Sequence, residues 1–292
     1  MNNIKFAGFG WDGYTGQITR IKEGFKSLGH ELTYDNPDII FCNDPGQYAK
    51  AIQHKQKYPK AFLILNFLDI PWHFPDVLKK ITNEAKLMKI ADMVTVISHK
   101  VKKDLSGFYE GKIEVIYNPI KDVEYNSDTK KENEFLYVGR ANDPVKRIKL
   151  AYEALKILNK ENELIICGME DPKFGKYMGV VKDDKLGELY NKSKIVLLPS
   201  KAEGLGLTMI EGMVCGSVPI VCSDNLTAKE FISDEFVAEP NPESIKNKIE
   251  EINKNYEKFH KLSLEYAEKF KIQFNKKTIA KNIIDIFSKY KK

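Results

Sequence analysis

Short, continuous apolar runs recur along both halves of this 292-residue sequence, and each is followed by a stretch of helical periodicity. In the first half the runs are Ile4–Phe9, Asp38–Cys42, Ala61–Phe67, Met93–Ile97 and Ile113–Tyr117. In the second half they are Phe135–Val138, Leu164–Cys167, Ile195–Leu198 and Pro219–Cys222, with a last short one near Phe236. A strand that is apolar at every position is buried on both faces, so runs of this kind alternating with helices predict parallel sheets covered by helices on each side. Between the two series lies a polar stretch without apolar periodicity, 121–133, which reads as an interdomain linker. The expectation is two α/β domains, 1–122 and 123–274. A final amphipathic helix over 275–292, with Ile279, Ile283, Ile286 and Phe287 on one face, comes after the second domain is complete and is expected to pack back on the first.

Composition narrows the class. Hydrophobic residues at 42% and charged residues at 30% fit a soluble globular protein. No apolar run approaches the roughly 20 residues of a membrane span. The first residues read as a strand and not as a signal peptide, so the expected location is cytoplasmic. Cys42, Cys167, Cys215 and Cys222 form no CxxC pair and read as buried thiols, and the five histidines show no metal-ligand spacing. The net charge of +5 divides into +3 over 1–120, −4 over 121–270 and +6 over 271–292. Lys79, Lys80, Lys86 and Lys89 fall on a helical stretch over 77–90, with Lys100, Lys102 and Lys103 nearby. Such a patch suits an anionic membrane surface, giving peripheral association at the inner membrane face, or a nucleic acid; a solvated lysine face is the plainer account.

The chemistry concentrates in Glu203–Asp224. Between two apolar runs lie Gly204 and Gly206, then a short helical segment with Thr208 as its expected cap and Glu211 expected in its first turn. A strand, a glycine loop and a helix start leave free N–H groups that suit an anion. Glu203 and Glu211, with seven residues between them, suit hydrogen bonds from sugar hydroxyls; as a bland alternative they are surface acids on a βαβ turn. After the run 135–138 come Gly139, Arg140, Lys146 and Arg147, cations at a strand's end that can meet phosphate oxygens or simply cap a loop with charge. Near the N-terminus, Gly10–Gly16 follows the first run, and the GFGWDG over 8–13 is weak as a dinucleotide-binding fingerprint.

Val138-Gly139-Arg140, Lys146 and the whole of Glu203–Pro219 resemble the nucleotide-sugar site of retaining glycosyltransferases of GT-B fold, family 4. Gly10–Leu28, Val94–Leu105, Tyr117–Pro119 and the stretch from Glu239 to Ile245 are also similar to segments of that family, so the resemblance extends over nearly the whole chain. It implies two Rossmann-like domains facing across a cleft. It also implies transfer of a sugar from a nucleoside-diphosphate sugar, such as UDP- or GDP-hexose, to an acceptor hydroxyl on a glycan or lipid-linked sugar. Carried over by position, Arg140 and Lys146 bind the diphosphate, and Glu211 accepts from the ribose. Glu203 contacts hydroxyls of the transferred sugar. The loop Gly204-Leu205-Gly206 and the amides of Leu207 and Thr208 approach phosphate oxygens, and Gly16 adds a contact from the first domain. No cofactor and no divalent metal is then called for, in keeping with the lack of a DxD motif.

Two positions depart from the family pattern. After the run 61–67 the family commonly has a His-Asp pair, where this chain has Leu68-Asp69 with His73 four residues on. Asp69 or His73 takes the polar role there, or Trp72-His73 is a packed loop. Lys146 is followed by Arg147 where the family often has glycine, an added cation that phosphates would tolerate. The alternative to an active transferase is a nucleotide-sugar-binding protein of the same fold with reduced catalysis.

Overall fold

The computed structural model describes residues 3–10, 16–68 and 84–291. The chain forms two compact units, one of 1–119 with 273–292 and one of 120–272. Each is built on a six-stranded, wholly parallel sheet, as continuous apolar runs require.

In the first unit the strands are β1 (Lys5–Phe9), β2 (Glu31–Leu32), β3 (Ile39–Cys42), β4 (Phe62–Phe67), β5 (Met93–Val96) and β6 (Ile113–Val115). Their order is β2-β1-β3-β4-β5-β6. β3, β4 and β5 are buried at every residue, which is why they read as unbroken apolar runs. β2 escapes a reading by runs because its two residues are both exposed on the sheet edge. The helix Gln17–Ser27 packs its Ile18, Ile21 and Phe25 on this sheet, with the Phe25 ring stacked 3.8 Å from that of Phe6. The C-terminal helix Lys276–Tyr290 belongs to the same core. Its Ile279, Ala280, Ile283, Ile286 and Phe287 join Phe6, Ile18, Phe25 and Phe62 in one cluster. At the crossing of the two helices a Cβ on Gly24 would run into the Lys276 carbonyl and the Ala280 methyl, so only glycine admits this approach.

The second unit holds β7 (Asn133–Val138), β8 (Leu164–Cys167), β9 (Lys176–Tyr177), β10 (Ser193–Leu198), β11 (Val218–Cys222) and β12 (Val237–Ala238). Their order is β12-β11-β10-β7-β8-β9. The chain runs outward to one side from β7 and to the other from β10, so the sheet reverses between these neighbours. The helix after β7, Ile148–Ile157, packs with Pro242–Lys254, and the helix after β10, Leu207–Val214, packs with Asp183–Lys192. Right-handed crossovers in opposite directions put those two pairs on opposite faces, with the reversal of strand order between β7 and β10.

The stretch read as a linker is bound to the second unit along its length. The Lys121 N–H donates to Glu211, Asn126 N–H to Asn191 Oδ1, and Glu132 N–H to the Lys192 carbonyl. The Lys131 ammonium donates to the Cys215 carbonyl at 3.2 Å, and burial pulls its pKa down to about 8. With Asp183–Lys192 this stretch encloses a cavity of about 290 Å³ lined by Asp122, Glu124, Asp184 and Glu188 among others. No helix among the described residues is long and apolar enough to cross a membrane.

Gly24→Ala is expected to destabilise the protein by about 1–3 kcal/mol, the usual cost of forcing extra volume into a packed contact. Thermal unfolding followed by circular dichroism checks it, with a lowered midpoint against the unsubstituted chain.

Candidate active site

Parallel pairing brings the C-terminal ends of β7, β10 and β11 side by side, with Val138 and Leu198 closing their strands and Leu198 opposite Val221. The loops beyond are fastened to each other. The Lys201 N–H donates to the Val145 carbonyl at 2.8 Å, and the Arg147 Nε donates to the Pro199 carbonyl at 3.0 Å. Asp143 shapes the first loop from within, accepting from the Val145 N–H through Oδ1 at 2.9 Å.

Into this frame the sequence places its cations. The Lys146 ammonium reaches Glu203 Oε1 at 2.7 Å, with both side chains largely shielded from solvent, at 18% and 13% exposure. Two residues assigned to the same ligand are thus neighbours in space, although 57 positions apart in the chain. Arg140 pairs with Asp143 at 2.7 Å and is the open one, its side chain 57% exposed. Arg147, read as an added cation that phosphates would tolerate, has a partner within the protein. Its guanidinium forks onto the two Asp224 oxygens at 2.8 and 2.7 Å, so its charge is answered within the protein. Its backbone is left-handed, at φ 49°, which is the conformation a glycine takes without strain.

The Leu207–Val214 helix opens on Gly206, whose φ of 81° and ψ of 40° lie in the left-handed region. That conformation turns the chain from the loop into the helix within one residue. Two expectations are corrected here. Thr208 does not cap the helix, because Gly206 is the capping position and no side chain accepts there. Glu211 is not in the first turn, which holds no acid. Both follow from the helix starting at Leu207, directly after the left-handed glycine. Among the described residues the Leu207 and Thr208 amides donate to no protein group, while Met209 and Ile210 turn back to the Gly206 carbonyl. Both residues are half-buried, and Leu205 beside them is buried and anchors the loop. Free amides at a helix start carry the positive end of its dipole.

Glu211 is 3% exposed. Its Oε1 accepts from the Lys121 N–H at 3.2 Å and its Oε2 from the Tyr190 hydroxyl at 3.3 Å. Tyr190 is fully buried, and desolvation, with Glu211 beside it, holds its pKa well above the ordinary phenol value, so it stays a donor. Burial likewise raises Tyr137 on β7, with Glu203 adding to the effect. The remaining sites lie elsewhere. Gly16 is in the first unit, as the left-handed N-terminal residue of the Gln17–Ser27 helix, against the Arg20 guanidinium. Asp69 and His73 fall outside the described residues, as do Lys79 and Lys80 of the lysine-rich stretch. All four cysteines are free and buried, and burial pushes Cys167 up to about 11 and Cys42, Cys215 and Cys222 up to about 12. None is a thiolate nucleophile near neutral pH. Among the described residues no three His, Cys, Asp or Glu side chains gather as a metal site requires.

Sequence reasoning missed Asp143, Asp224 and Tyr190. Asp143 carried a signal, since an acid two residues before Val145 is a common loop-turn acceptor. Asp224 and Tyr190 carried none, because their partners lie 77 and 21 positions away.

Two wholly parallel six-stranded sheets of this order define an α/β protein of GT-B fold. The family described as "Glycosyl transferases group 1" matches residues 120–270, over half of the chain, and the chain belongs to that family. It is 30% identical over 176 residues to the O-antigen chain mannosyltransferase RfbU of Salmonella typhimurium, covering 53% of this chain and 49% of that one. It is 27% identical over 183 residues to an uncharacterized glycosyltransferase of Methanocaldococcus jannaschii, covering 57% and 51%. The chain therefore spans about half the length of the curated relatives it matches. In fold it is similar to Anabaena HepE, solved in complex with UDP-glucose, with a TM-score of 0.79 at 14% identity over 98% of this chain and 100% of that one. Sucrose-phosphate synthase from Thermosynechococcus elongatus has a TM-score of 0.72 at 17% identity, over 94% and 78%.

Gly206→Ala would put a Cβ on a left-handed backbone, at a cost of about 1–2 kcal/mol. Gly204, which is outside that region, serves as the control. The expected result is a fall in the melting midpoint for Gly206→Ala that exceeds the fall for Gly204→Ala.

Proposed function

We propose that this protein is a retaining glycosyltransferase that moves a hexosyl group from a nucleoside-diphosphate sugar to an acceptor hydroxyl, without a divalent metal. The observation that carries the reading is the convergence on one strand-end edge of Lys146, Arg140, the Leu207 and Thr208 amides, unbonded among the described residues, and Glu203. This set offers two cations and a helix start to a diphosphate, with a carboxylate next to them for a hydroxyl.

Departure of the nucleoside diphosphate builds negative charge on the bridging and terminal phosphate oxygens. Fixed N–H groups and cations placed there stabilise that charge more in the transition state than in the ground state. Each cation is already neutralised, Lys146 by Glu203 and Arg140 by Asp143. The diphosphate therefore competes for hydrogen bonds within a balanced group. In taking over Lys146 it frees lone pairs on Glu203, which is then the natural acceptor for a hydroxyl of the transferred sugar. Glu211, held by Lys121 and Tyr190, is assigned to the ribose hydroxyls by its place in the family motif. The family motif assigns Gly16 to the diphosphate, and Asp69 or His73 to the reacting sugar. The acceptor is a glycan or lipid-linked sugar, in keeping with the O-antigen mannosyltransferase among the relatives.

Leu68, standing where the family commonly has histidine, favours a second reading in which the chain binds the donor and turns it over little or not at all. Calorimetry with UDP and GDP, together with donor hydrolysis, separates the readings. Lys146→Ala is expected to weaken nucleotide binding by about 10- to 100-fold, the scale of one hydrogen bond to a charged group. Arg140→Ala, more exposed, should cost less. Glu203→Gln should spare nucleotide binding and suppress turnover. Nucleotide binding with no hydrolysis or transfer selects the second reading, and absence of binding by either nucleotide sinks both.

A further inference from the structure

We propose that Arg147 and Asp224 form a clamp that positions Lys146, so that nucleotide affinity depends on two side chains that are not themselves phosphate ligands. This rests on the donor-site reading above. Lys146 lies in a loop outside regular structure, and a lysine stem is flexible. Where its ammonium reaches is therefore set by what holds the backbone on either side.

Both sides are held. On one, the Val145 carbonyl accepts from Lys201 at 2.8 Å. On the other, Arg147 joins the loop to the ends of β10 and β11 through Pro199 and Asp224. The left-handed backbone of Arg147 is disfavoured for a residue with a side chain. It persists because the guanidinium makes three hydrogen bonds in fork geometry, the bidentate pairing that lysine cannot reproduce. The Arg147 and Asp224 side chains are 19% and 35% exposed, so the pair is partly shielded from solvent. A glycine at this position would take the same backbone freely but would leave the loop fastened on one side only.

The test is a double-mutant cycle on the full chain, read as the Kd of UDP, with GDP in parallel. Arg147→Gly keeps the backbone conformation accessible and removes the fork, and Asp224→Asn removes the charge with little change in shape. Each is expected to weaken binding about tenfold when Lys146 is present and less than about twofold in a Lys146→Ala background, since contacting residues couple and independent ones add. The double variant of positions 147 and 224 should be no weaker than Arg147→Gly alone. Circular dichroism melts on the same samples separate loss of positioning from loss of fold. Equal weakening in both backgrounds would mean that Arg147 acts on the phosphate directly, and would overturn the clamp; so would unchanged binding in Arg147→Gly. If Lys146→Ala alone leaves Kd unchanged, the donor-site reading fails first and the clamp with it.

Discussion

Parallel strand pairing is the constraint on which the candidate site depends. β7, β10 and β11 all point the same way, so their C-terminal ends emerge together and their loops share one edge. The strand order reverses between β7 and β10, the kind of position at which open parallel sheets take ligands. Every proximity in the site follows from this arrangement. Lys146 meets Glu203, Val145 meets Lys201, and Arg147 meets both Pro199 and Asp224. An antiparallel pairing of the same segments would send these loops to opposite ends.

The site is assembled from paired charges and free amides. Three acid–base pairs, Arg140 with Asp143, Lys146 with Glu203 and Arg147 with Asp224, lie on one edge. They differ in what holds them. The fork at Asp224 satisfies its partner through two hydrogen bonds and a third to a carbonyl, which gives it a fixed geometry. Lys146 offers Glu203 a single point contact, and Arg140 is open to water. The more weakly constrained the pair, the more readily an incoming anion displaces the acid. That ordering fits a scaffold role for Arg147 and ligand roles for the other two cations.

Much of this was legible beforehand. The apolar runs announce β1, β3 to β8, β10 and β11, because a strand buried on both faces has no choice but to be apolar throughout. The two-residue edge strands β2 and β9 leave no such mark. The glycines at 204 and 206 and the two glutamates signal a loop-to-helix anion site, yet the helix cap fell two residues before the reading, at Gly206 instead of Thr208. A preference for Thr as a cap is weaker than the backbone requirement of a left-handed turn, which only glycine meets cheaply. The stretch 121–133 looked like a free linker because it is polar. Its backbone is instead consumed by Glu211, Asn191 and Lys192, which a polar composition does not reveal.

By itself the amino-acid order determined the α/β class, the parallel sense of the strands and the residue types gathered for phosphate and hydroxyls. Those properties are local: periodicity, glycine placement and charge along a few residues. Only the tertiary structure decided which charges pair, that Arg147 faces Asp224 and not the open edge, that Glu211 is nearly sealed between Lys121 and Tyr190, and which core residues, Phe6 and Phe25 among them, the last helix joins. These are contacts between residues 21 to more than 200 positions apart, and partner choice at such distances is set by strand order and packing, neither of which is written in the neighbourhood of any one residue.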